Sequence, residues 1–215
     1  MYYEWVKKIN SLFEASDHDK QVIDKINKII SFLDTDEQLR IHSDLSEVSL
    51  KGIYTYRNEI NINDHAKEHI TWWYFRQMVD TIPPMIPDKM LNEIIDEYRR
   101  VKYIALESII LNLMKNERLS LKQVDSLKSE FHSKAFHKEA ISFKAKNLIR
   151  SRIFLDKEFV GELLQAKAYD VLEFAIDNHI LAEESFVLFM HPSQGEENGK
   201  VKKRLFDKIQ KHMAK

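Results

Sequence analysis

The sequence predicts an all-α protein, and three observations carry that expectation. Only four glycines and four prolines occur in 215 residues, which leaves little of the usual material for turns and irregular loops. Apolar residues recur with the 3.6-residue helical period along most of the chain, whereas strand-like alternation is nowhere sustained. A helix-starting pattern also recurs at Ile86–Ile94, Leu119–Leu127, Leu155–Leu163 and Leu181–Phe189. In each segment an aliphatic residue precedes a helix-starting residue. Apolar side chains follow four, five and eight positions on, with Gln123 and Ser185 as polar exceptions.

From the N-terminus, Trp5, Ile9, Leu12 and Phe13 share one helix face. Ser16 is a cap candidate for a second helix carrying the stripe Val22, Ile26, Ile29, Ile30 and Leu33. Asp34 is the next cap, with Asp36 and Glu37 suited to the positive helix end, and a third helix is expected from about Leu39 to Leu50. Residues 52–64 read less regularly. Ile53–Tyr56 has extended character, and Asn58, Asn61, Asn63 and Asp64 suit a loop. Asp64 is a cap candidate for a helix from His65 to Asp80, which Pro83 and Pro84 end. Pro87 suits the first turn of the next helix. Ser120 with Gln123 forms a capping box. Helices are then expected over 120–132, 136–153, 156–166, 168–178 and 182–190, with a loop over 191–199 and a last helix from Lys200 to Met213.

The four recurrences start 33, 36 and 26 residues apart, a period that stacked helical hairpins produce. Ile94, Leu127, Leu148, Leu163 and Phe189 are the expected inward positions. This pattern is loosely similar to HEAT-like α-solenoids. The resemblance implies an array of antiparallel hairpins offering an interaction surface rather than a reaction centre. A competing architecture is an irregular bundle with a long central helix. Asp88 to Asn116 contains neither glycine nor proline, and Leu91, Ile94, Ile95, Tyr98, Val101, Ala105 and Ile109 continue one stripe. The expected organisation is an N-terminal helical segment (1–64), a hairpin array (65–190) and a basic amphipathic helix (200–215).

Composition excludes several functions. With no cysteine, there is no disulfide, thiol chemistry or cysteine-ligated zinc. Glycine-rich phosphate loops are absent. The N-terminal segment lacks an apolar signal core, and charges interrupt every apolar run before spanning length. A cytoplasmic protein without a membrane span or cofactor is expected.

The net charge of −1 conceals segregation. Residues 1–50 carry −4, 51–98 carry −3, 99–160 carry +7, 161–190 carry −5 and 191–215 carry +4. Within the basic block, Phe136, Ala140 and Phe143 lie opposite Ile141, Ala145, Leu148 and Ile149, so that helix is expected to be buried on two sides. Between those sides Lys138, Ser142, Lys146 and Arg150 form a row suited to phosphates, with Glu139 interrupting it. The last helix sets Val201, Leu205, Phe206, Ile209 and Met213 against Lys203, Arg204, Lys208, Lys211 and Lys215, which suits an anionic surface or closure of the core.

His65-Ala-Lys-Glu-His69 has the H-x-x-E-H form of the inverted zincin string, in which two histidines one turn apart bind zinc and the glutamate acts as base. No third ligand is assignable. The same helix places His65, His69, Trp72, Arg76 and Asp80 on one side with Trp73 adjacent, the composition of a binding hot spot. The leading expectation is a non-enzymatic scaffold that binds a macromolecule, with a protein as partner, through His65, His69, Trp72, Trp73 and Arg76. The alternatives are nucleic-acid binding through Lys138, Lys146 and Arg150, and metal-dependent hydrolysis at His65 and His69.

Overall fold

A computed structural model describes residues 1–15, 20–81, 84–190 and 197–213. The protein is all-α, with no strand among the described residues; the one β-contact is an isolated parallel bridge between Leu155 and Leu181. The chain forms two compact units, Met1–Ile109 and Ile110–Lys215. No helix among the described residues is long and apolar enough to cross a membrane.

The N-terminal unit contains α1 (Tyr2–Ala15), α2 (Lys20–Ile30), α3 (Thr35–Arg40), a 3-10 turn (Ile41–Ser43), α4 (Glu47–Thr55), α5 (Asp64–Asp80) and α6 (Asp88–Val101). The unit boundary falls within α7 (Ile104–Lys115). Helix α4 packs between α1 and α5, and α3 with the 3-10 turn lies against α5. The whole expected stripe of α2 is buried, and it joins Val6, Ile9, Phe13, Ile41 and Ile53 in one core. Asp34 caps α3 in a complete capping box with Glu37.

Two local expectations fail here. The helix expected over 39–50 is broken, because Ser46 accepts from the Ser49 amide and starts α4 afresh. The Ile53–Tyr56 stretch is helical to Thr55 rather than extended, with Ile53 fully buried. Gly52 makes this packing possible. A Cβ there would collide with the Phe13 ring.

The long central helix is also excluded. Lys102 adopts a left-handed conformation (φ 54°) and separates α6 from α7. Four more helices end on a non-glycine left-handed residue: Glu117, Arg152, Lys167 and His179. Each of these four closes with the two backbone bonds of a Schellman motif. The Ile153 and Arg152 amides, for example, donate to the Leu148 and Ile149 carbonyls, each at 3.0 Å. Left-handed turns built without glycine explain how so few glycines serve so many helix ends.

The C-terminal unit continues with α8 (Leu121–Leu127), α9 (Lys134–Arg150), α10 (Lys157–Gln165), α11 (Tyr169–Asp177), a 3-10 segment (Glu183–Phe189) and α12 (Glu197–Met213). The recurrent aliphatics Ile86, Leu119, Leu155 and Leu181 are all buried. Ser120 and Asp156 cap the helices that follow Leu119 and Leu155. Both polar exceptions serve the backbone. Gln123 completes the Ser120 capping box, and buried Ser185 donates to the Leu155 carbonyl at 3.3 Å. Of the five expected inward positions, Ile94, Leu127, Leu163 and Phe189 are fully buried, while Leu148 is only half-buried at the edge of the core. The segment 182–190 coils as a 3-10 rather than an α-helix. Ser16, Pro83 and most of the 191–199 loop lie outside the described residues.

Candidate functional site

Helix α5 is capped by Asn63, one residue before the expected cap. Its aromatic run is distributed around the helix. Phe75 is fully buried, whereas Trp72, Trp73 and Tyr74 are half-buried. The Trp72 indole N–H donates to Ser108 Oγ at 3.2 Å, which pins that ring. Trp73 meets Trp72 edge-on at 5.2 Å and packs against the core.

The two histidines of the H-x-x-E-H string have different surroundings. His65 is exposed and its Nδ1 lies 3.7 Å from Glu68. His69 stacks on His42 at 5.0 Å and 12°. His42 stacks in turn on Trp73 at 5.9 Å. Among the described residues, no group of three or more histidines and carboxylates is arranged to hold a metal ion. Arg76 is occupied by Asp80, one turn along the same helix, at 2.8 Å. The structure therefore extends the predicted patch with His42, which the sequence did not single out. Burial pushes the His42 imidazole below its ordinary value, and neighbouring His69 adds to the shift. The Leu39 carbonyl, 2.9 Å from Nδ1, opposes it.

Behind Tyr54, on α4, lies a second polar cluster that sequence reasoning missed. Glu97 is only 4% exposed. Its carboxylate accepts from Arg57 at 2.9 Å, from Arg100 at 2.5 and 3.2 Å, and from the Tyr54 hydroxyl at 3.4 Å. Arg57 also lies over the Tyr54 ring, 4.2 Å from its centroid. Tyr54 stacks on Tyr74 at 4.2 Å. Burial first, and Glu97 second, push the Tyr54 hydroxyl far above its ordinary value. A buried carboxylate shared by two guanidiniums is first a structural element, since a buried charge needs partners. The i,i+3 spacing of Glu97 and Arg100 was readable; Arg57, 40 residues away, was not.

In the C-terminal unit the expected cationic row does not form a continuous solvent-facing strip. Lys138 is exposed and Lys146 half-buried, but Ser142 between them is buried. Arg150 is held by both Glu117 oxygens, at 2.5 and 2.6 Å. That pairing holds the Glu117 carboxyl below its usual range. The two-sided burial of α9 is as expected, with Phe136, Ala140 and Phe143 buried on one side and Ile141, Ala145 and Ile149 on the other. Helix α12 closes the core with Leu205 and Ile209. Its cations answer the acidic block directly. Arg204 reaches Glu173 at 3.0 Å, and Lys208 reaches Glu173 and Asp177 at 3.0 and 2.7 Å. No protein-family model matches the chain, and no curated protein or solved structure is detectably similar to it.

Proposed function

We propose that the chain is a non-enzymatic helical interaction protein whose N-terminal unit binds a protein partner. One observation carries this reading: the row of rings His69, His42, Trp73 and Trp72 on α5 and its neighbouring turn. Half-exposed tryptophans set among imidazoles offer large apolar area with polar edges, the make-up of interface anchors. Their rotamers are already fixed by stacking and by the Ser108 bond, so little side-chain entropy remains to be lost on binding. The hairpin-array reading draws support from the C-terminal unit, where α8 packs on α9, α9 on α10 and α10 on α11. The cysteine-free composition fits a reducing, cytoplasmic setting.

The test is quantitative affinity capture with wild type, His69→Ala and Trp72→Ala. His69 is exposed, so its replacement leaves the core intact. Authentic partners should lose binding by about 2 kcal/mol or more with Trp72→Ala, roughly 30-fold. They should weaken measurably with His69→Ala. Identical capture by all three proteins, with circular dichroism unchanged, rejects this face as the interface.

A further inference from the structure

The C-terminal unit contains a cleft of about 910 Å³ between the start of α9, the end of α8 and helix α10. Lys134 and Lys138 project from the first turns of α9, Lys144 lies over the Phe159 ring at 5.3 Å, and Lys167 stands on the left-handed turn after α10. All four lysines are exposed, and none has a carboxylate within ion-pair distance among the described residues. Glu162 is the one carboxylate lining the cleft. Several of the unit's other cations are committed. Arg150 is bound by Glu117, and Arg204 and Lys208 by Glu173 and Asp177. Four cations without a carboxylate partner among the described residues thus converge on one concave surface.

From this we infer that the cleft is a binding site for single-stranded nucleic acid, independent of the aromatic face of the N-terminal unit. The combination of lysines and a half-exposed ring suits such a strand. Lys134 and Lys138 are one helical turn apart, a step of about 6 Å, which follows a sugar–phosphate backbone. The half-exposed Phe159 ring, with Lys144 over it, offers apolar contact to a base once that lysine turns to a phosphate. No arginine lines the cleft. Lysine acts on phosphate as a point charge, without the planar fork that reads base edges. Recognition is accordingly of the backbone, with little sequence preference. The site overlaps the row Lys138, Lys146 and Arg150 only at Lys138, because Lys146 and Arg150 do not line it.

Fluorescence anisotropy of the full chain with short oligo-dT and oligo-rU, across a salt series, tests the site. Four phosphate contacts give a log–log salt slope of about −3 for a single strand. Removing one lysine should flatten it by about 0.7. Lys167→Gly is the decisive variant, because glycine relieves the left-handed backbone at this position. It is expected to raise the melting temperature while weakening binding, a pair of effects that misfolding cannot produce. Lys134→Ala with Lys138→Ala should weaken binding further, and Lys203→Ala on α12 should leave it unchanged. Preference for one sugar assigns the strand as RNA or DNA. Failure to bind either oligomer overturns the proposal, as does binding that Lys203→Ala lowers as much as Lys167→Gly does. Equal displacement by poly-glutamate also overturns it, and makes the cleft a site for acidic peptides.

Discussion

The two units differ in net charge and in the long-range contacts that some of their cations make. Residues 1–109 hold 14 basic and 19 acidic side chains, a net −5, and residues 110–215 hold 19 and 15, a net +4. In the N-terminal unit some cations meet a buried carboxylate or lie over rings, beside surface pairs such as Arg76 with Asp80 and Lys67 with Asp64. Arg57 and Arg100 share the buried Glu97, Arg40 lies over Tyr2, and Lys8 lies over Trp5. In the C-terminal unit Arg150, Arg204 and Lys208 pair across the surface, and four lysines without a carboxylate partner among the described residues stand around the α9–α10 cleft. The same residue types thus surround a buried carboxylate at Glu97 in one half and line an open cleft in the other. A mean charge near zero, or even a segmental one, does not distinguish these uses.

The largest effect expected from breaking this contrast is at Glu97. Glu97→Ala leaves the largely buried Arg57 guanidinium without its carboxylate, whereas exposed Arg100 is free to turn to water, so stability should fall by about 3–5 kcal/mol. Hydrogen exchange should show the greatest loss of protection in residues 1–109; a change below about 0.5 kcal/mol, the range of surface substitutions, would mean that Glu97 is solvated. In the other unit, Leu163 is fully buried. Leu163→Ala should cost about 2–5 kcal/mol by denaturant unfolding, with protection lost first around α10 and α11. Gly52→Ala drives a methyl group into the Phe13 ring and should cost about 1–3 kcal/mol. A neutral result would show that α1 can shift to make room.

A smaller, stabilising change sharpens the comparison from the other side. Arg152 is exposed and left-handed. Arg152→Gly should therefore raise stability by about 1 kcal/mol, read as an upward shift of the denaturant midpoint without a change in slope. One pH-dependent contribution belongs to the N-terminal unit. The folded-state value of His42 lies below that of the unfolded chain. The unfolded state therefore takes up its proton first as pH falls. This contribution is complete above about 6.5, the ordinary histidine value, and is lost as pH falls through the folded value. His42→Phe should remove that part of the acid sensitivity, and an unchanged pH profile would relocate it to other groups.

Much of the fold was legible because helix starts are local. A side-chain oxygen three residues before the amide it accepts from is visible in any sequence, and Asp34 and Ser120 cap as expected. Buried stripes are equally local, as α2 and the two-sided α9 show. Helix ends were harder. A glycine after the last turn is the usual signal, and here Lys102, Glu117, Arg152, Lys167 and His179 take the left-handed position instead. The break inside 88–116 therefore carried no compositional mark. The candidate sites divide in the same way. The α5 rings were picked out from spacing alone, but their partner His42 was not, because it arrives from a turn 27 residues earlier in the chain.

By itself the sequence determined the helical class, the helix starts and most of the buried positions, since each follows from chemistry within a few residues along the chain. The tertiary structure alone decided which charges meet across long stretches of chain. Glu97 meets Arg57 across 40 residues, Arg150 meets Glu117 across 33, and Lys208 meets Glu173 across 35. Electrostatic pairing depends on distance in space, which sequence separation does not specify, and the same holds for the lysines that the fold brings together around the α9–α10 cleft.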